Sequence, residues 1–205
     1  LRERVVAHVG EAEGSRFAQE LRQSDAVQRL VAGDWPMQWS PHFRFVSDDP
    51  LKALGKEGGR GGSDVLALLG PLLKTSQSSV AIISPYFVPG DAGTRVLVDI
   101  AGTGRDVRVL TNSLAANDVA LVYGGYSESR RGLLEGGVQL WELKPTAGSA
   151  VKSSFLGSSG ASLHTKALTV DGRIAFVGSY NLDPRSTSLN CEQGIFVEST
   201  QIAVQ

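Results

Sequence analysis

Between residues 63 and 198, short apolar runs alternate with stretches of helical spacing, and this alternation constrains the fold more than any other feature. Val80-Ala81-Ile82-Ile83 and Val107-Arg108-Val109-Leu110 read as buried strands, and residues 138–143 and 194–198 as two more. Residues 63–73, 94–101, 117–123 and 127–134 carry apolar side chains at helical spacing. Gly102 and Gly104 close the second of these stretches and Gly136-Gly137 the last. Strands joined through helices can run parallel, because a crossover is long enough to return the chain to its starting edge. Residues 167–170 and 174–177 differ, since Asp171-Gly172-Arg173 between them is a hairpin signal. The pattern predicts an α/β fold, with a mixed, mostly parallel sheet flanked by helices.

The chain reads differently before residue 63. Phe17, Leu21, Val27 and Leu30 give residues 15–30 helical spacing, and a proline-broken aromatic stretch, Asp34-Trp35-Pro36-Met37-Gln38-Trp39-Ser40-Pro41, follows as a connector. Residues 43–46 read as a short strand, Asp48-Asp49-Pro50 as a turn, and residues 55–62 as a flexible glycine loop. We therefore expect an N-terminal helical and connector segment over residues 1–57 and one further domain over 58–205. The glycine loop lacks the Gly-Lys-Ser/Thr that opens a helix in a phosphate-cradling loop. Residues 144–162, rich in Ser, Gly, Ala and Thr, read as a surface loop, with a lid over the adjoining site as the functional alternative. Gly157-Ser158-Ser159-Gly160 is one residue short of a nucleophile elbow and follows no strand.

Charge and cysteine content remove several function classes. Twenty basic against 21 acidic residues leave a net charge of −1, so no global basic field attracts nucleic acid and no such partner is expected. The single cysteine, Cys191, excludes an intramolecular disulfide and a multi-cysteine zinc site, and is expected to be a small buried hydrophobe. Trp35, Trp39 and Trp141 are expected in a core or an interface. No apolar run approaches the ~18 residues that span a bilayer. Leu1 is not an initiator methionine, so the chain is expected to be an excerpt or a processed product.

Of the three histidines, His8 lies in a polar stretch and His42 between a proline and a phenylalanine, and neither has chemical neighbours. His164 does. In an extended segment residues two apart share a face, so His164 and Lys166 project together. A turn at Asp171-Gly172 returns Ser179 and Asn181, also two apart, to the same neighbourhood. An imidazole, an ammonium, a hydroxyl and a carboxamide then converge. Lysine charge and Ser and Asn donors suit non-bridging phosphate oxygens, with imidazole as nucleophile or proton donor. Gly178 is expected to let the backbone pass close to a ligand. No carboxylate-rich or histidine-rich cage accompanies these residues, so no metal or other cofactor is expected, and Lys166 and Asn181 take over its charge work.

The full pattern, His-x-Lys-x4-Asp-x6-Gly-Ser-x-Asn, resembles the signature of the phospholipase D superfamily, with every specified position filled. Ser84-Pro85-Tyr86-Phe87-Val88-Pro89, Thr111-Asn112-Ser113, Leu182-Asp183-Pro184-Arg185-Ser186 and Leu189-Asn190-Cys191-Glu192 extend the resemblance to the C-terminal half of bacterial cardiolipin synthases of the C type, over about residues 35–198. The resemblance implies a catalytic His164, phosphate contacts from Lys166 and Asn181 with support from Ser179, and a structural Asp171. It also implies that Glu192 orients a catalytic histidine. Members of that family carry two motif copies that meet in one site, whereas this sequence carries one. His164, coming from the second half, is then expected to be the general acid and later base, opposite a nucleophilic histidine from the first half. Tyr86 or Asn112, following strands where open sheets place ligand loops, is expected at the pocket rim.

Three functional readings follow. The first is phosphatidyl transfer through a phosphohistidine by a bacterial, cytoplasmic, peripherally membrane-associated enzyme acting on phospholipids, this chain supplying the C-terminal half-site. The second is a one-motif phosphodiesterase or nuclease completed by a second copy of the chain. The third is a half-domain that does not turn over alone.

Overall fold

The structure, a computed structural model, describes residues 14, 16–54, 62–117, 119–144 and 162–204. His8, the glycine loop up to residue 61, the serine-rich stretch over 145–161 and the Gly157-Ser158-Ser159-Gly160 element lie outside the described residues.

Leu1–Trp39 and Ser40–Gln205 are separate compact units. Within the first, the expected single helix is two, α1 (Arg16–Gln23) and α2 (Asp25–Ala32). Ser24 breaks them apart, taking an extended conformation at the head of α2, and Gly33 ends α2 in the left-handed region at φ 75°. Leu21 and Leu30, two of the residues that carry the helical spacing, are exposed.

The second unit is built on a seven-stranded sheet. Its strands are β1 (Phe43–Ser47), β2 (Ser79–Ile83), β3 (Asp106–Asn112), β4 (Gln139–Leu143), β5 (Lys166–Val170), β6 (Ile174–Gly178) and β7 (Gln193–Glu198), in the order β1-β7-β6-β5-β2-β3-β4. The sheet is mixed and the fold α/β, as the alternation predicts. Within it, β2–β3 and β3–β4 are the parallel pairings, while β1–β7, β7–β6, β6–β5 and β5–β2 are antiparallel. The expectation of a mostly parallel sheet therefore holds only for the β2–β3–β4 side. The hairpin inserts β5 against β2, and the early strand β1 returns to pair with the last strand.

That return also moves the expected boundary at residue 57. Phe43–Ser47 pairs residue by residue with β7, from Phe43 opposite Val197 to Ser47 opposite Gln193, so the sheet-bearing unit begins at Ser40.

Helix α3 (Asp64–Lys74) starts at Ser63, whose Oγ accepts the Leu66 N–H at 3.1 Å, and buries Val65, Leu69 and Leu73, one turn apart. Helix α4 (Gly90–Gly102) starts four residues before its apolar spacing does. Helix α5 (Ala120–Glu135) runs unbroken through Gly124-Gly125, where two helices are expected. A Cβ at Gly125 would sit 2.8 Å from Val88 Cγ1, so the glycine admits a close approach and does not end the helix. Short helices α6 (Pro184–Ser188) and α7 (Thr200–Ala203) flank β7.

Val80, Ile82, Val107, Val109, Leu168, Val170 and Phe176 form the core with the buried residues of α3 to α5, and Ile82 stands opposite both Val109 and Leu168. Trp35, Trp39 and Trp141 are exposed, which removes the core role expected for them. Among the described residues no helix is long and apolar enough to cross a membrane.

Candidate active site

The ladder registers bring the motif to one edge of the sheet. Lys166 is paired with Gly178, and Gly178 with Gly194. His164 therefore precedes the end of the β5–β6 hairpin, Ser179 and Asn181 follow it, and Glu192 lies just before β7 at the same end. Ile83 faces Ala167 and Leu110, so Ser84 and Asn112, beyond or at the ends of β2 and β3, share this edge.

His164 is exposed, and the Lys166 ammonium curls back to donate to the His164 carbonyl at 2.7 Å. Asn112, 1% exposed, grips the residue before the histidine. Its Nδ2 donates to the Leu163 carbonyl and to Ser162 Oγ, each at 3.2 Å, while its Oδ1 accepts the Leu163 N–H at 2.9 Å. Of the two rim candidates, Asn112 holds the histidine segment directly, and Tyr86 is half-buried nearby in sequence to Ser84.

Asn181 is buried. Its N–H donates to Ser186 Oγ at 3.2 Å, and among the described residues its side-chain Oδ1 has no hydrogen-bond partner. Such an atom costs about 1–3 kcal/mol and marks a place where polar capacity is held in reserve. The next residue is fixed from the other side, since Leu182 accepts the Val88 N–H at 2.7 Å and donates to Ser84 Oγ at 3.3 Å.

Glu192, 5% exposed, is no solvated strand-end residue. Its Oε1 accepts from Ser186 Oγ at 2.8 Å and its Oε2 accepts from Ser179 Oγ. Both carboxylate oxygens thus serve hydroxyls of this chain, and among the described residues neither bonds His164. Ser179 gives its only hydroxyl proton to Glu192 and accepts the Gln193 N–H at 3.0 Å, which makes it a brace behind Asn181 in this arrangement.

Gly178 has a different reason from the one expected. A Cβ there would meet the Gln193 carbonyl, and would lie 2.8 Å from both Gly194 Cα and Phe176 Cζ. The close approach is to the neighbouring strand and a core ring, with no ligand needed to explain it. Cys191 is exposed, contrary to the expected burial, because Glu192 beside it turns inward and the extended chain alternates.

Asp171, at φ 56°, sits at the far end of the hairpin from Lys166 and caps three backbone amides. It accepts from Gln77 N (3.0 and 2.9 Å), Ser78 N (2.8 Å) and Ser79 N (3.0 Å), and from Ser78 Oγ. Burial pushes this carboxyl upward, but the Ser79, Ser78 and Gln77 amides outweigh it and bring it down to about 2.

A second layer went unread in the sequence. Asp48, read as part of a turn, and Lys52 form a buried ion pair at 2.5 Å behind Ser186 and Glu192. Burial raises the Asp48 carboxyl, and the Lys52 ammonium with the Glu192 and Val65 amides and Ser63 overcomes this, leaving it below its ordinary value. A charged residue in an unpatterned stretch carries no local sign that it is buried.

Comparison with known proteins bears on the family and the fold. The family model described as "Cardiolipin synthase, PLD-like domain" matches residues 69–205. Cardiolipin synthase C of Escherichia coli K12 is 41% identical over 92% of this chain and 40% of its own length. A cardiolipin synthase of a Geobacillus species (strain WCH70) is 33% identical over 63% of this chain and 22% of its own. The chain thus spans well under half the length of these curated relatives. Among solved structures, the phospholipase D family member Nuc of Salmonella typhimurium superposes with a TM-score of 0.52 at 16% identity, over 80% of this chain and 88% of that one. Phosphatidylserine synthase of Haemophilus influenzae gives 0.54 at 20% identity, over 79% of this chain and 35% of that one. At these identities the structural likeness speaks for the fold.

Proposed function

Because the chain belongs to the family of cardiolipin synthase phospholipase D-like domains, we propose that it supplies the C-terminal half-site of a phosphatidyltransferase acting through a phosphohistidine. One observation carries the reading. The β5–β6–β7 register gathers His164, Lys166, Ser179, Asn181 and Glu192 at a single sheet edge, with His164 exposed and the Lys166 ammonium on its carbonyl.

In this reaction a histidine nitrogen of the other motif-bearing half bonds the phosphorus of the donor phospholipid. The bond from phosphorus to the leaving alcohol oxygen breaks, and His164 gives that oxygen its proton. His164 then takes the proton of an acceptor alcohol, such as that of phosphatidylglycerol. The new oxygen–phosphorus bond forms as the phosphorus–nitrogen bond breaks. Lys166 and Asn181 hold the non-bridging oxygens where negative charge builds, and Ser179 and Glu192 keep Asn181 in place. The other half comes from the same polypeptide, and the substrates bring the protein to the bacterial membrane surface from the cytoplasmic side.

The test is product analysis with the full-length protein and labelled phosphatidylglycerol in mixed vesicles. A cardiolipin-like product is expected. Release of phosphatidic acid alone, or cleavage of DNA without lipid transfer, refutes the assignment.

A second reading rests on the single motif copy in this sequence: two chains pair and complete a phosphodiesterase site with two equivalent His164 residues. Sedimentation of the 205-residue chain with a nuclease assay separates the two. A monomer without nuclease activity removes the second reading and fits a half-domain that needs its other half.

A further inference from the structure

What fixes Glu192 lies more than a hundred residues earlier in the chain. Asp48 N donates to the Glu192 carbonyl at 2.8 Å, and Asp48 Oδ2 accepts the Glu192 N–H at 3.0 Å. One residue therefore grips both faces of the Glu192 backbone. Lys52 Nζ, paired with Asp48 Oδ2 at 2.5 Å, donates its second bond to the Ser186 carbonyl at 2.7 Å. Ser63 Oγ (2.9 Å) and Val65 N (3.2 Å) occupy Asp48 Oδ1. The Asp48 and Lys52 side chains are 0% and 3% exposed.

Sequestering two charges this fully is unfavourable unless their geometry and remaining hydrogen bonds are satisfied, and hydrophobic replacements would serve the core as well or better. What such replacements cannot supply is direction. The ammonium orients Ser186, whose hydroxyl donates to Glu192 Oε1 and accepts the Asn181 N–H. The carboxylate orients Glu192, whose Oε2 holds Ser179. Every path out of the ion pair toward the sheet edge ends on a residue of the Gly-Ser-x-Asn element.

We propose that the buried Asp48–Lys52 pair is a positioning element of the phosphate site, acting through Ser186 and Glu192 to hold Ser179 and Asn181 in register with His164. The proposal rests on the phosphodiester-transfer reading of the site but not on the lipid being its substrate.

Three variants of the full-length protein test it: Asp48→Asn, Lys52→Met and the double Asp48→Asn/Lys52→Met. Each is assayed well below its melting temperature, on phospholipid vesicles and on the small diester bis(p-nitrophenyl) phosphate. Both single variants are expected to lose stability, because each strands a buried charge, while the double variant regains much of it. For turnover, all three are expected to lose about 10–100-fold in kcat, the range seen when groups supporting a ligand-holding shell are removed, with KM changed less than kcat. A merely structural pair would return kcat to wild type as the double variant regains stability, and that result overturns the proposal. So does wild-type kcat in either single variant at a temperature where it is folded. A wild-type enzyme that cleaves the small diester but forms no cardiolipin refutes the lipid reading, while the diester rates still decide the role of the pair.

Discussion

Replacing Asp171 by Asn separates holding the fold from performing the chemistry. Asn tolerates the left-handed conformation that Asp171 adopts at φ 56°, so backbone strain is not the perturbation. What goes is the charge and one acceptor oxygen, facing the Gln77, Ser78 and Ser79 amides. The carboxyl lies at about 2 where an ordinary one lies at 3.8. At about 1.4 kcal/mol per pH unit the full linkage is roughly 2.4 kcal/mol. Partial exposure of the turn screens this to ~1–2 kcal/mol.

For a domain of this size that is a fall of roughly 2–8 °C in melting temperature at pH 7. The sign follows from the depressed carboxyl. Its contribution is complete above the unfolded value near 4 and is lost as pH falls from there toward 2. Thermal unfolding of wild type and Asp171→Asn, followed by circular dichroism between pH 7 and pH 3, should show the gap narrowing below pH 4. Asp171 is separated from Lys166 by the length of β5, about 17 Å at 3.4 Å per residue. The variant's kcat, measured while folded, should therefore stay within about threefold of wild type. Equal melting temperatures at pH 7, a gap undiminished at pH 3, or a kcat loss beyond tenfold would each refute the reasoning.

Other perturbations separate the parts of the site. His164→Ala removes an exposed side chain and should abolish turnover on any diester while leaving the unfolding curve within about 0.5 kcal/mol of wild type. Asn112→Ala removes both hydrogen bonds that clamp Leu163 and a third to Ser162, so kcat should fall about tenfold or more while the variant stays folded; unchanged kcat would show that His164 needs no such anchor. Gly178→Ala drives a methyl into the Gln193 carbonyl and the Phe176 ring and should destabilise by about 2–3 kcal/mol in urea titration. Turnover should persist in excess EDTA, with Lys166 and Asn181 supplying the charge stabilisation, and chelator inactivation would contradict that division of labour.

What could be read from the sequence is what local physics encodes. Ser63 caps α3 and the turn residues Asp171-Gly172 close the β5–β6 hairpin, and both signals sit within a few residues of the structure they produce. Because the hairpin was legible, so was the register that sets Lys166 opposite Gly178, with His164 just before the one and Ser179 just after the other. Strand partners were less so. Nothing in Phe43–Ser47 names β7 as its neighbour, and that pairing, with β5 inserted beside β2, makes most of the sheet's pairings antiparallel. Gly124-Gly125 looked like a break because the Val88 contact that calls for a small residue belongs to another element.

The buried ion pair shows why the second layer of a site resists such reading. A charge in a sequence is ordinarily solvated, and only a partner set that satisfies it makes burial tolerable. Asp48 has four donors from Lys52, Ser63, Val65 and Glu192, drawn from segments up to 144 residues apart, and no spacing rule unites them. The motif names the groups suited to touching a phosphate because their chemistry fixes their identity. The groups that hold those in place are under a weaker constraint, since any residues meeting the same donors and acceptors would serve. The proposed chemistry is argued from residue type and spacing, whereas its support became legible only once the sheet had joined its first strand to its last.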